Sequence, residues 1–166
     1  IAMALAAQPE LLIADEPTTA LDVTVQAQIL MLLARLRREL GMAVVLITHD
    51  MGVIAGFCDR VLVMYAGRIL ESAPATALFK TPMHPYTRAL MKSLPGAQTA
   101  GKALHAIPGL PPERGAPERG CPFAPRCPAA IADCRKIDCT LAPCGVSGHS
   151  AACLRVQRGE RPEALV

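Results

Sequence analysis

The stretch LLIADEPTTALD, residues 11–22, decides the fold of this chain. Four apolar residues run without interruption into two adjacent carboxylic acids, Asp15 and Glu16. An unbroken apolar run of this length is typical of a strand that is buried on both faces, as in a parallel sheet. The stretch therefore predicts a buried strand whose carboxyl end presents two acids.

Two later runs, AVVLI at 43–47 and VLVM at 61–64, show the same pattern and predict two more such strands. Residues 23–40 lie between the first two strands, and their apolar positions follow the spacing of one helix face. Asp22 can cap the start of that helix, and Gly41 can end it. Strand, helix and strand in this order predict an α/β fold, and residues 64–71 predict a tight turn at Ala66–Gly67 into an edge strand.

Polar side chains follow the first two predicted strands. Asp15 and Glu16 end the first, and Thr48, His49 and Asp50 end the second. Ligands of open α/β sheets bind beyond the carboxyl ends of the strands, so we expect these residues to share one edge. Acids and a histidine there can bind a divalent cation, orient a water molecule and contact an anionic ligand, as phosphoryl transfer to water requires.

Plainer explanations exist for the same residues. An acid pair after a strand is often a solvated turn, and a single histidine in a loop often has no chemical role. Asp22 and Asp50 can be helix caps and nothing more. The spacing alone leaves these alternatives open.

The linked motifs resemble the nucleotide-binding domains of ABC transporters. LLIADE is similar to the Walker B segment, TALD to the D-loop and ITHD to the switch-histidine segment, in the family's order. The resemblance implies that residues 1–72 are the C-terminal part of an ABC ATPase domain, a partial P-loop NTPase parallel sheet with helices. Residues 1–10, IAMALAAQPE, would then be the helix that follows the ABC signature sequence.

The resemblance also implies roles for individual residues, with ATP and Mg²⁺ as cofactors. Asp15 would hold Mg²⁺ through water, and Glu16 would polarise the attacking water. His49 would contact the γ-phosphate, and Asp22 would belong to the loop that communicates between two such domains.

Other parts of an ATP site are absent from the 166 residues. The sequence contains no G-x-x-x-x-G-K-[ST] motif, whose backbone and lysine cradle the phosphates. The glutamine loop and an LSGGQ-type segment are also missing. We therefore expect this chain to be the C-terminal part of a longer protein, to leave some apolar strand surface uncovered, and to be inactive towards ATP when alone.

Composition changes sharply after residue 72. Thirteen of the fifteen prolines follow residue 73, which predicts a loop-rich remainder. Residues 73–120 resemble the C-terminal extension of oligopeptide and dipeptide importer ATPases, with HPYT at 84–87 as its core, and end in a Pro/Gly-rich linker. Pro85 fits the first turn of a helix with Leu90 and Met91 turned inward, and His84 is expected to be a cap or packing residue.

Residues 121–166 hold six of the seven cysteines and predict a cysteine-rich module. Disulfides, a zinc site, free thiols and a [4Fe–4S] cluster are the alternatives for these cysteines. CPFAPRC and GHSAAC resemble a module at the end of many peptide-importer ATPases that is associated with an iron–sulfur cluster. The resemblance implies four ligands, with Cys139 and Cys144 as extras: Cys121, Cys127, Cys134 and Cys153.

Together these resemblances imply an ATP-hydrolysing subunit of an ABC importer for dipeptides, oligopeptides or nickel. It would pair with an identical or paralogous ATPase subunit and two membrane permeases, receive solute indirectly from an extracytoplasmic binding protein, and lie peripherally on the cytoplasmic face of a bacterial or archaeal inner membrane. A net charge of +3 without a basic block argues against nucleic acid. The rival hypotheses are a soluble, non-transport ABC ATPase with a metal module and a non-catalytic metal-binding or regulatory fragment.

Overall fold

A computed structural model describes residues 1–93, 106–112, 119–145 and 147–160. Residue 105 and residues 113–118 of the Pro/Gly-rich linker predicted at 105–120 therefore lie outside the described residues. The chain forms two compact units, residues 1–58 and 59–166. The domain boundaries after residues 72 and 120 stay predictions.

The described elements alternate between helices and strands in the first unit and are shorter in the second. The helices are α1 (Ala2–Ala6), α2 (Val23–Leu40), α3 (Met51–Phe57), α4 (Ala75–Lys80), α5 (Pro85–Lys92) and α6 (Leu154–Gln157). The strands are β1 (Leu11–Asp15), β2 (Ala43–Ile47), β3 (Arg60–Tyr65), β4 (Arg68–Pro74), β5 (Ala142–Pro143) and β6 (Ser150–Ala151). Both kinds of element confirm the predicted α/β class.

The first unit is built on a parallel pair of strands joined by a helix. β1 and β2 pair in parallel, with Asp15 opposite Ile47 at their carboxyl ends. The connecting helix α2 buries Leu33 completely against Leu12 and Met42. This is the predicted strand–helix–strand arrangement, and it places the ends of β1 and β2 at the same edge.

One face of this two-stranded sheet is exposed. Ile13 on β1 is 62% exposed and Ile47 on β2 is 48% exposed, whereas Leu12 is buried. β1 therefore alternates between exposed and buried positions instead of being buried on both faces as its apolar run predicts. The expectation that apolar strand surface is left uncovered agrees with these exposures.

The third apolar run belongs to another sheet. β3 lies in the second unit and pairs antiparallel with β4, so its assignment to the parallel sheet was wrong. The physical reason is the two-residue turn at Ala66 and Gly67, whose φ angles of 49° and 76° suit a tight hairpin. The turn was predicted, but the strand order is β3-β4-β6-β5, so β4 is an internal strand and not the predicted edge strand.

The second unit has its own apolar core despite its many prolines. Phe123 and Leu70 are almost completely buried beside Tyr65, and the Tyr65 and Phe123 rings meet edge to face at 5.5 Å between centroids. A smaller cluster joins Met83, Ala151 and Val156. This core connects the hairpin to the cysteine-rich segment.

Helix α5 begins as the sequence predicts, with Pro85 at its first turn. Its buried residues are Pro85, Thr87 and Ala89, whereas Leu90 and Met91 are only half-buried, so the predicted inward face is partly wrong. Within the described ranges, no helix has both the length and the apolar character that crossing a membrane requires.

Candidate functional site

The first candidate site lies where β1 ends. Asp15 is the last residue of the strand, and the Glu16 N–H donates to the Ile47 carbonyl at 2.9 Å, so the chain stays attached to β2 as it turns away. Glu16 has φ 47°, a left-handed conformation that is uncommon for a residue other than glycine. This backbone conformation fixes where the Glu16 side chain leaves the sheet edge.

Glu16 and His49 are in direct contact. The His49 Nδ1 lies 2.7 Å from Glu16 Oε1, and the Thr19 hydroxyl donates to Glu16 Oε2 at 2.8 Å. The hydrogen bond with His49, followed by that with Thr19, lowers the pKa of Glu16 below its ordinary value. The same contact raises the pKa of His49. The carboxylate and the imidazole thus stabilise each other's charged form.

Two further acids near this edge, Asp22 and Asp50, cap helices. Asp22 accepts hydrogen bonds from the N–H groups of Thr24 and Val25 at the start of α2. Asp50 does the same at the start of α3, and it also accepts from Gln26 Nε2 at 3.1 Å. The hydrogen bond from Gln26 is the main reason why the pKa of Asp50 is lowered. Both acids are therefore N-caps, which was the plainer explanation for each.

The structure brings together the strand-end residues to different degrees. Glu16 and His49 share a hydrogen bond, and Asp15 ends the strand one residue before Glu16. Thr48 accepts from the Asp50 N–H and shapes the turn after β2. An exposed carboxylate at Asp15 is a suitable ligand for a hard cation, and the Glu16–His49 pair can orient a water molecule. The catalytic assignments of Asp15, Glu16, Asp22 and His49 remain predictions.

The second candidate site is a pocket in the second unit. The four cysteines that the sequence analysis grouped all line it, together with His84, Pro85 and Arg155 among others: Cys121, Cys127, Cys134 and Cys153. The Cys121 N–H donates to the Cys134 carbonyl at 2.8 Å, which brings two of these segments side by side. Within the part of the chain that the structure describes, no three His, Cys, Asp or Glu side chains are grouped so that they could hold a metal ion.

Burial controls the acidity of the pocket thiols. It raises the pKa of the Cys121 thiol to about 11 and also raises the pKa values of Cys127 and Cys153. Backbone N–H groups act in the opposite direction, from Phe123 on Cys121 and from Ala129 on Cys127. The thiols of Cys121, Cys127 and Cys153 are therefore held in the protonated form at neutral pH, and backbone hydrogen-bond donors for deprotonated sulfurs are already in place at Cys121 and Cys127.

The other cysteines lie elsewhere. Cys139 and Cys144 are not among the residues that line the pocket. Burial, with Glu71 nearby, raises the pKa of the Cys144 thiol to about 11. Cys58 is half-buried in the first unit.

A buried acid that the sequence analysis missed supports the pocket. Glu71 on β4 is completely buried, and its carboxylate accepts from the Met83 N–H at 2.7 Å and the His84 N–H at 2.9 Å. The His149 Nε2 lies 2.6 Å from the same carboxylate. The position of an acid in the middle of the predicted strand, directly after Ile69 and Leu70, was the available signal.

His84 has the predicted role of a cap. Its Nδ1 accepts the Tyr86 N–H at the start of α5 at 3.0 Å, and the side chain is almost completely buried. Burial lowers the pKa of His84 to about 4. Its other ring nitrogen, Nε2, lies 3.9 Å from the Cys121 sulfur.

Comparison with known proteins finds similarity along most of the chain. Residues 70–134 match the family described as the C-terminal region of oligopeptide/dipeptide transporters. The chain is 57% identical over 156 residues to a probable peptide ABC transporter ATP-binding protein of Sinorhizobium fredii, covering 93% of this chain and 46% of that protein. It is 55% identical over 134 residues to the oligopeptide transport ATP-binding protein OppD of Salmonella typhimurium, covering 81% of this chain and 40% of that protein.

The chain thus spans less than half the length of these two relatives. A solved structure, cbiO1 from Clostridium perfringens, described as part of the ABC transporter complex cbiONQ, is 36% identical with a TM-score of 0.43. That similarity covers 46% of this chain and 30% of the solved one.

Proposed function

Since this chain belongs to the ABC transporter ATP-binding proteins that carry the oligopeptide/dipeptide transporter C-terminal region, we propose that it works within a longer protein that hydrolyses ATP to drive solute import. The solute is a dipeptide or oligopeptide, with nickel as the narrower alternative. The two relatives described above are named as peptide and oligopeptide transport proteins, which supports a peptide as the solute. The contact between Glu16 and His49 at the end of two parallel strands is the observation that carries the proposal.

Each strand-end residue has a defined part in this proposal. Asp15 holds Mg²⁺ through water, since one carboxylate and the nucleotide phosphates satisfy a cation that keeps several waters. Glu16 orients and polarises the attacking water, and its lowered pKa keeps it an ionised acceptor. His49 fixes the Glu16 carboxylate through Nδ1 and leaves its other ring nitrogen for the γ-phosphate.

Asp22 has two compatible tasks. As the N-cap of α2 it holds the loop between Glu16 and the helix in place. We assign this loop to the contact with a second ATPase subunit, identical or paralogous. The two subunits act on two membrane permeases at the cytoplasmic face of a bacterial or archaeal inner membrane, and an extracytoplasmic binding protein delivers the solute.

The test compares Glu16→Gln with Glu10→Gln in the longer protein, assembled with its permeases in vesicles. Glu10→Gln makes the same chemical change just before β1, at the strand's other end, and should leave turnover unchanged. Glu16→Gln should retain ATP binding and lose about 10²-fold or more of turnover, as the loss of a positioned base predicts. Near-normal hydrolysis in Glu16→Gln would remove Glu16 from the role of base.

The transported solute requires a separate assay. Uptake of labelled dipeptides, longer peptides and Ni²⁺ into the same vesicles distinguishes the three solute classes. ATP hydrolysis that proceeds equally without permeases, and without uptake of any solute, would favour a non-transport ABC ATPase.

The cysteine pocket supports a second part of the proposal, a [4Fe–4S] cluster. Such a cluster takes four thiolates, and four cysteines line this one pocket. N–H groups directed at the sulfurs stabilise thiolates, and the Arg155 guanidinium provides positive charge at the pocket wall. The donor set of the pocket suits the cluster, and the ligands would be Cys121, Cys127, Cys134 and Cys153. Within the described residues no three of these side chains are already grouped around one metal position, so cluster binding would have to draw the sulfurs together.

When bound, the cluster would cross-link the segments that carry these cysteines and could carry one electron. Iron and sulfide analysis of anaerobically purified protein tests its presence, with Cys144→Ser as a control because Cys144 lies outside the lining. Cys127→Ser should lose iron, and Cys144→Ser should retain it. Colourless protein with stoichiometric zinc would establish the alternative metal.

A further inference from the structure

We propose that His84, the histidine of the HPYT segment, is a positioning residue that donates a hydrogen bond from Nε2 to the sulfur of Cys121. The inference rests on the cluster part of the proposed function. It gives the histidine of this segment a task beyond capping a helix, because it joins α5 to the cysteine pocket.

The helix cap fixes the tautomer of His84. Nδ1 accepts the Tyr86 backbone N–H at 3.0 Å, so that nitrogen has no proton. A neutral imidazole then carries its only proton on Nε2. The helix cap therefore fixes Nε2 as a donor, without reference to the pocket.

The Nε2 donor lies beside the cysteine pocket. His84 Nε2 lies 3.9 Å from the Cys121 sulfur, and the His84 side chain is 1% exposed, which leaves water little access to the ring. The ring also packs against Phe123, with centroids 6.2 Å apart. The Cys121 sulfur is therefore the acceptor that faces Nε2.

A buried carboxylate, that of Glu71, holds the backbone of His84 in place. Its backbone N–H donates to the buried carboxylate of Glu71, and that carboxylate also bonds His149. The ring is thus held by its own helix on one side and through β4 on the other. A donor fixed in this way keeps its hydrogen bond when the charge on the sulfur changes.

The consequence concerns a bound cluster. Hydrogen bonds to cluster sulfurs stabilise the more negative, reduced state and so raise the reduction potential. They also fix the orientation of the ligand, which slows ligand loss. Removal of this one donor should make the potential more negative and speed the release of iron to a chelator.

His84→Asn is the test variant. The Asn amide oxygen can still cap α5, because Asn is among the preferred N-cap residues, but no donor then occupies the Nε2 position. The matched control is Ala89→Gly, which weakens the same helix at a buried residue that is not part of the pocket lining. Both proteins are purified anaerobically, and the reduced cluster is titrated potentiometrically by electron paramagnetic resonance.

We expect a more negative potential and faster iron release in His84→Asn, with an unchanged potential in Ala89→Gly. In the wild-type protein labelled with ¹⁵N-histidine, pulsed resonance should detect a ring nitrogen and an exchangeable proton coupled to the reduced cluster. This measurement needs no variant and holds even if His84→Asn fails to fold.

Two results would overturn the inference, and they differ from each other. If the cluster forms normally but shows no histidine coupling, and its potential is unchanged in His84→Asn, the proposed hydrogen bond is refuted and the cluster is not. If the wild-type protein takes up no iron under anaerobic reconstitution, the cluster proposal is refuted, and the inference about His84 is refuted with it.

Discussion

Glu71 gives the sharpest prediction of stability, because its buried carboxylate holds three partners. Oε1 accepts the Met83 N–H and contacts His149 Nε2, and Oε2 accepts the His84 N–H. In Glu71→Gln, the amide has one oxygen and one NH₂ group. Whichever way the amide is turned, at least one buried N–H faces a donor instead of an acceptor.

The cost of Glu71→Gln follows from these contacts. A buried donor that loses its acceptor costs about 1–3 kcal/mol, and the remaining bonds lose the charge assistance of the carboxylate, about another 1 kcal/mol. The free energy of unfolding of the second unit should therefore fall by about 2–4 kcal/mol. At ~4 °C for each kcal/mol, the melting temperature should drop by roughly 8–16 °C.

Tyrosine fluorescence during urea unfolding reports on this unit selectively. The chain has two tyrosines and no tryptophan, and Tyr65 and Tyr86 both lie in the second unit. The matched control is Asp133→Asn, the same chemical change at an exposed ion pair with Arg158, which should cost about 0–1 kcal/mol. A Glu71→Gln protein as stable as the Asp133→Asn control would refute the reasoning.

The remaining predictions concern the strand-end site and Gly120, which precedes the pocket residue Cys121. The contact raises the pKa of His49 and lowers the pKa of Glu16, so both side chains are charged at pH values between these two pKa values. The stability that this ion pair contributes is lost as pH rises through the pKa of His49, and also as pH falls through the pKa of Glu16. NMR titration should show the His49 pKa moving back towards its ordinary value of 6.5 in Glu16→Gln, and an unmoved pKa would contradict the ion pair. Gly120→Ala places a Cβ 2.6 Å from the Arg135 backbone, whereas Gly41→Ala meets open space at a similarly positive φ. In urea unfolding, the free energy of unfolding should fall by about 1–2 kcal/mol in Gly41→Ala, because only the positive φ disfavours alanine there. It should fall clearly more in Gly120→Ala, because the new Cβ also clashes with the backbone and displaces Cys121. Equal losses in the two variants would exclude the clash.

The sequence by itself predicted the strand–helix–strand arrangement of β1, α2 and β2 and the position of the candidate residues at the carboxyl ends of the two strands. The apolar run that ends in Asp15 and Glu16, the helical spacing of residues 23–40 and the cap and stop residues on either side of that helix are local signals. Local signals predict elements well because each depends on neighbours within a few residues. The grouping of four cysteines also came from the sequence, through its resemblance to a known module.

Tertiary structure decided what those elements do together. The run at 61–64 is as apolar as the first two, yet its pairing depends on the hairpin turn that follows it, and it became part of an antiparallel sheet. Glu71 and His149 are 78 positions apart, so only folding could reveal their contact. The same holds for His84 and Cys121: a cap is readable from residues 84–87, but the nitrogen that the cap leaves free acquires a partner only when a distant loop packs against it. Long-range contacts of this kind are set by the packing of whole elements, which local spacing does not encode.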